Sequence, residues 1–114
     1  MIENVKDFLN KRKTNTQRLR KEAPDIFEGF NELIKHYYKS DVLNRKQREL
    51  MAVACSTAQQ CVPWLANHAN NALVAGATRD EILAASAIGI EFGGGPAFVV
   101  VRDNLLHFLD ELEK

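Results

Sequence analysis

Apolar residues recur along this chain at intervals of three and four, and strand-like alternation is not sustained anywhere, so the predicted elements are helices. Val5, Phe8 and Leu9 give a short amphipathic opening. Pro24, at a first-turn position and followed by Asp25, starts a second helix in which Ile26, Phe27, Phe30, Leu33, Ile34 and Tyr37 recur at helical spacing. Asn44 with Gln47 three residues later forms a capping-box start. It opens a helix to about Gln59, with Leu50, Met51, Val53, Ala54 and Ala58 expected inward. Pro63 begins the next helix, Trp64 to Ala75, and Gly76 is placed to end it. Thr78 with Glu81 is a second capping box and launches Ile82 to Phe92. Gly93, Gly94 and Gly95 break the chain, and Pro96 restarts it as a last helix, Ala97 to Leu112. Val99 to Val101 is the one β-leaning run, and it sits just after a helix-start proline. The fold class expected is all-α, a bundle of about six helices.

Composition narrows this picture. At 114 residues the chain is expected to be a single domain, small enough that oligomerisation would help to stabilise it. Its 46% hydrophobic and 26% charged content is that of an ordered globular protein. No apolar run approaches the roughly 20 residues of a spanning helix, and the first residues lack the apolar core of a signal peptide, so a cytoplasmic location without membrane partners is expected. In a reducing compartment, Cys55 and Cys61 are more readily free or redox-active thiols than a structural staple.

Net charge is zero, but residues 1–48 carry 12 Lys+Arg against 7 Asp+Glu, whereas residues 49–114 carry 3 against 8. The two parts therefore differ in sign and can attract each other within or across subunits. The basic cluster from Lys11 to Lys21 has no interleaved aromatics and is followed at once by Glu22 and Asp25. A solvated helix face is the expected role, with no nucleic-acid partner.

Residues 43–101 carry a more specific pattern: Glu49 and Leu50 early in one helix, Cys61 twelve residues after the glutamate, His68 and Ala72 as His-x-x-x-Ala on the next helix, then Gly76-Ala77-Thr78-x-x-Glu81-Ile82 and a glycine-rich turn before Pro96-Ala97. This combination resembles the carboxymuconolactone decarboxylase and alkylhydroperoxidase D superfamily. The resemblance implies an all-α fold, an active site between helices, and assembly into dimers, trimers or hexamers. In the redox-active branch it implies a Glu, a Cys-x-x-Cys pair and a His four residues after the second Cys. There the second thiol attacks peroxide, activated by the His and Glu through a proton relay, and the first thiol resolves it as a disulfide. Glu49, Cys61 and His68 match three of these positions, and Trp64 stands at the fourth. The two-thiol cycle of that branch cannot run here as written.

The residues themselves bound what remains. Cys61 lies at the start of the helix that Pro63 begins, where unpaired backbone N–H groups attract negative charge. His68 is seven residues on, nearly in phase around the helix but roughly 10 Å away by rise alone, so proton transfer between them needs a water or an intervening group. Cys55 is six residues before Cys61, which on a continuous helix turns the two thiols about 240° apart. They could meet only if the helix ends near Ala58 and Gln59-Gln60 turns the chain back. Cys55, among small apolar neighbours, is otherwise expected to be a buried core residue. A zinc site from Glu49, Cys61 and His68 has no spacing signature for a fourth ligand, and the glycine triplet lacks the following Lys-Ser/Thr of a phosphate loop, so neither metal nor cofactor is expected. His36 and His107 read as surface or core-edge residues without partners.

Three activities fit: thiol-dependent (hydro)peroxide reduction centred on Cys61, with an external thiol or Cys55 completing the cycle; a lactone or carboxylic-acid decarboxylase using His68, with Trp64 lining an apolar pocket; and a non-catalytic oligomeric scaffold. The first is favoured by the spacing of Glu49 and Cys61, which decarboxylation has no evident need for.

Overall fold

A computed structural model describes residues 2–39 and 41–114. Among these, every regular element is helical: α1 (Val5–Glu22), α2 (Pro24–Tyr37), α3 (Arg45–Ala58), α4 (Val62–Val74), α5 (Arg79–Gly93), α6 (Gly95–Val100), a π-helical stretch Val101–Leu105, and α7 (Leu106–Leu112). The expected final helix is thus present, running without an intervening loop from Gly95 to Leu112. A π turn interrupts it, with the Leu106 N–H reaching back to the Val101 carbonyl. No helix among the described residues is long and apolar enough to cross a membrane.

Local chemistry sets the boundaries. Both capping boxes are formed: Asn44 and Thr78 accept from the backbone of Gln47 and Glu81, whose side chains accept from the cap N–H groups in return. Pro24 disfavours helical geometry at Ala23, which takes φ −144° and ψ 69° and separates α1 from α2 by a single residue. Gly76, at φ +94°, turns the chain out of α4. The opening helix is longer than its apolar residues predict. It runs on through the basic cluster to Glu22, and residues 10–22 are exposed throughout.

The core lies among α3, α4, α5 and the C-terminal helical run. Val53, Leu65, Ala69, Ala72, Ile82, Leu105 and Leu109 form its centre, and Val5, Ala66 and Phe108 form a smaller cluster that ties the start of α1 to α4 and α7. His107 donates from Nε2 to the Glu3 carbonyl oxygen at 2.9 Å, so it is not without a partner. As the carbonyl only accepts, Nε2 carries the proton. His36 likewise faces Glu32 at 3.9 Å.

Two helices are turned differently from expectation. In α3 the buried stripe is Glu49, Ala52, Val53, Ser56 and Thr57. Met51 is 50% exposed and Cys55, expected in the core, is also exposed. Polar residues can take the inward face because their needs are met locally: Ser56 and Thr57 donate to the carbonyls of Ala52 and Val53, one turn back. In α2 the more sheltered stripe is Phe27, Asn31, Ile34 and the capping Tyr38, whereas Tyr37 is 74% exposed.

Candidate functional site

Glu49, in the second turn of α3, and His68, in the middle of α4, are both buried and meet through a 2.7 Å contact between Glu49 Oε2 and His68 Nδ1. A carboxylate removed from water requires such a partner. When Nδ1 donates to the Glu49 carboxylate, the imidazole keeps its lone pair on Nε2, so the pair can act as a base whose reactive edge is fixed by its partner.

Aromatic rings hold that imidazole. Trp64, one helical turn before His68 on α4, stacks on it with ring centres 5.1 Å apart and planes 11° apart. Tyr38, from the end of α2, lies nearly parallel to it at 6.5 Å and 7°. Phe30 of α2 tilts against Trp64 at 6.1 Å. Tyr38 was not singled out by the sequence. Its spacing of four from Ile34 and eight from Phe30 was the available signal, hidden by the adjacent Tyr37. The Tyr38 phenol is held above the ordinary tyrosine pKa, first by burial, then by the nearby negative charge of Glu49 and Cys55, with Arg48 opposing. Tyr38 therefore lies near both the Glu49 carboxylate and the Cys55 sulfur.

Two cavities meet at this stack. One, of about 420 Å³, is bordered by Cys55, Cys61, Arg48, Tyr38, Trp64 and His68. The other, of about 580 Å³, lies against Glu49, Trp64 and His68 and is bordered by Arg12, Asn67 and Asn71 at its polar side. Phe30 and Ile34 of α2 wall both. All five residues singled out from the sequence thus gather in one region, with Cys55 there as an exposed wall residue instead of a core residue. Among the described residues, no three His, Cys, Asp or Glu side chains converge as metal ligands would.

The turn between α3 and α4 sets the position of Cys61. Gln60 adopts φ +55°, its N–H donates to the Thr57 carbonyl at 3.0 Å, and the Cys61 N–H donates to the Ser56 carbonyl at 3.0 Å. These two bonds define a Schellman cap on α3 with a glutamine in the left-handed position that glycine usually takes. Half-buried Cys61 is at once the last residue of that cap and the N-cap of α4.

A glutamate on one helix facing a histidine on the next, beside a cysteine at the helix start, is accompanied by a match of residues 24–103 to the model of the carboxymuconolactone decarboxylase family. The chain belongs to the carboxymuconolactone decarboxylase family. Among relatives of this family member, an uncharacterized protein of Cupriavidus necator is 31% identical over 85 residues, spanning 75% of each chain. Uncharacterized protein 4 in the cox locus of Paracoccus denitrificans is 30% identical over 89 residues, spanning 77% of this chain and 78% of its own. The fold is similar to the crystal structure of apo-lpg0406, a carboxymuconolactone decarboxylase family protein from Legionella pneumophila, with a TM-score of 0.84 and 28% identity over 95% of this chain and 96% of that one.

Proposed function

We propose that this family member reduces a small hydroperoxide through a thiol, with Cys61 as the reacting sulfur and Glu49–His68 as the base that handles the proton. The observation that carries this reading is that both sulfurs and His68 border one cavity. Attack of the Cys61 thiolate on the peroxide oxygen breaks the O–O bond, leaves a sulfenic acid on sulfur and releases an alcohol once the departing oxygen takes a proton. His68 lies too far along α4 to touch Cys61 by rise alone, roughly 10 Å, so the peroxide or a water between them is the group through which its Nε2 acts. An external thiol returns the sulfur to its reduced state. Exposed Ile26, Phe30 and Leu33 on α2, and Phe92 and Phe98 near the glycine turn, support assembly into a homo-oligomer.

The test is peroxide consumption coupled to a thiol reductant. Cys61→Ser is expected to abolish it, and His68→Ala to slow it by about a hundredfold, the scale of a lost general base. Wild-type activity in Cys61→Ser would remove this reading.

A second reading is favoured by the indole stacked on His68: acid–base chemistry on an apolar carboxylic acid or lactone, carried by Glu49 and His68 alone. Its signature is turnover that survives loss of both thiols and disappears in His68→Ala.

A further inference from the structure

Cys55 and Cys61 are the only cysteines in the chain, and a continuous helix would point them apart. The helix is not continuous. α3 stops at Ala58, and the cap folds the chain back so that the Cys61 N–H lies on the Ser56 carbonyl. In a Schellman cap, the side chain of the residue that makes this bond commonly packs against the residue five or six positions earlier, over the last turn of the helix. Counting back six from Cys61 reaches Cys55. Both side chains border the same cavity, Cys55 exposed and Cys61 half-buried, so oxidant and reductant have access to them.

We infer that Cys55 is the resolving partner of Cys61, and that the two close a reversible intramolecular disulfide across the turn between α3 and α4. This rests on the thiol reading above and adds the residue that completes its cycle. The balance is a two-electron one. Cys61 thiolate takes one oxygen from ROOH to become a sulfenic acid, and ROH leaves after gaining a proton. Cys55 thiolate then attacks the sulfenic sulfur, forming the S–S bond and expelling hydroxide, which leaves as water with a proton from the site. A dithiol reductant restores both thiols and is itself oxidised to a disulfide. Trp64 takes no part in this exchange, so the pair replaces the Cys-x-x-Cys spacing with one set by a helix cap.

Trypsin provides a direct readout, because no Lys or Arg lies between Arg48 and Arg79 and one peptide therefore carries both cysteines. The reduced full chain is treated with one equivalent of tert-butyl hydroperoxide, alkylated, digested and weighed. The expected peptide is unalkylated and lighter by two hydrogens, on a chain that runs as a monomer in a denaturing non-reducing gel, and dithiothreitol restores alkylation at both sites. In Cys55→Ser and Cys55→Ala, dimedone capture of a Cys61 sulfenic acid is expected to rise by about tenfold, because an intramolecular thiol outcompetes capture from solution. Strong dimedone capture in the wild type, equal to that in the Cys55 variants and without the lighter peptide, would overturn the pairing while peroxide reduction at Cys61 stands. Diamide, which oxidises neighbouring thiols without peroxide, separates the opposite case. A diamide-formed lighter peptide in a protein that consumes no peroxide would leave the pair intact and end the peroxide reading.

Discussion

Replacing Gly89 by alanine is expected to destabilise the fold, although the same change stabilises an ordinary helix. α5 packs along α3 more extensively than any other pair of elements, and Gly89 is a point of close approach between them. A Cβ placed there would lie 2.7 Å from Thr57 Cβ and 3.0 Å from Thr57 Cγ2, and closer still to the carbonyl oxygen of Ala54. Neither neighbour can give way cheaply. The Ala54 carbonyl belongs to helical backbone, and Thr57 is fully buried with its hydroxyl bonded to the Val53 carbonyl at 2.8 Å. Gly93, one turn on, repeats the arrangement, its added Cβ meeting the Ala58 carbonyl oxygen at 2.8 Å. The two helices would have to separate, which costs about 3 kcal/mol at the upper end of the usual overpacking range. Relief of glycine in a helix interior returns about 1 kcal/mol.

A net loss of about 2 kcal/mol remains, a fall of about 8 °C in Tm for a chain of this size. Gly29→Ala is the matched control, since it lies within α2 and no heavy atom comes within 4 Å of its added Cβ. That variant is expected to gain about 0.5–1 kcal/mol. Both are measured by thermal melts followed by circular dichroism at one fixed protein concentration, because assembly would otherwise shift the midpoint. The reasoning fails if Gly89→Ala melts at or above the wild type, or if the two variants move in the same direction. The stake is functional as well as structural. Gly89 and Gly93 brace α3 from behind, and α3 presents Glu49 at one end and the cap that carries Cys61 at the other.

Two further outcomes follow from single residues. Gln60→Gly removes the steric cost of a side chain at φ +55°, about 1 kcal/mol, against the extra chain entropy of glycine in the unfolded state, so urea unfolding should show a gain of about 0.5 kcal/mol; a loss would mean that the Gln60 side chain is itself holding the cap. Tyr38→Phe should remove the phenolate absorbance that develops above the ordinary tyrosine range, because folding raises the Tyr38 pKa; the folded state holds this proton more tightly, so its contribution to stability is complete below the unfolded tyrosine pKa and is lost as pH rises through the folded one, and loss of a component in the ordinary range would contradict that placement.

The helices and their ends were legible because they are decided locally. Asn44 with Gln47, Thr78 with Glu81, Pro24 and Gly76 act on their own turns regardless of what packs against them. The direction in which each helix faces is decided by neighbours, and there apolar counting misled. Leu50 does pack against the core, but Met51, expected there too, is half exposed, whereas Glu49 is inward because His68 waits for it across the interface. Thr57 is inward because α5 brings glycine, not a side chain, to that face. The same rotation moved Cys55 out of the core and onto the cavity wall. Tyr38 was missed for a related reason: its partner in stacking lies thirty residues away, and nothing in the Tyr37-Tyr38 pair says which ring turns inward.

Trp64 separates two tasks that a single turn of α4 could otherwise combine. Its indole lies against the imidazole and fills space beside His68, while Glu49 fixes Nδ1. The histidine is thereby held in plane and in one tautomer, suited to act as a stationary base on whatever occupies the cavities and poorly suited to swing toward a distant sulfur. Under the proposed chemistry the base then reaches Cys61 only through the bound peroxide or a water, and a resolving thiol has to stand beside the first. The cap at Gln60 folds the chain back over the end of α3, with the Cys61 N–H on the Ser56 carbonyl, and both cysteines border the same cavity. A helix that ran two residues further would carry Cys61 around its axis, away from Cys55, and leave each thiol alone. Under the proposed pairing the left-handed glutamine is therefore more than a stop signal for α3: it decides whether this site has one thiol or two.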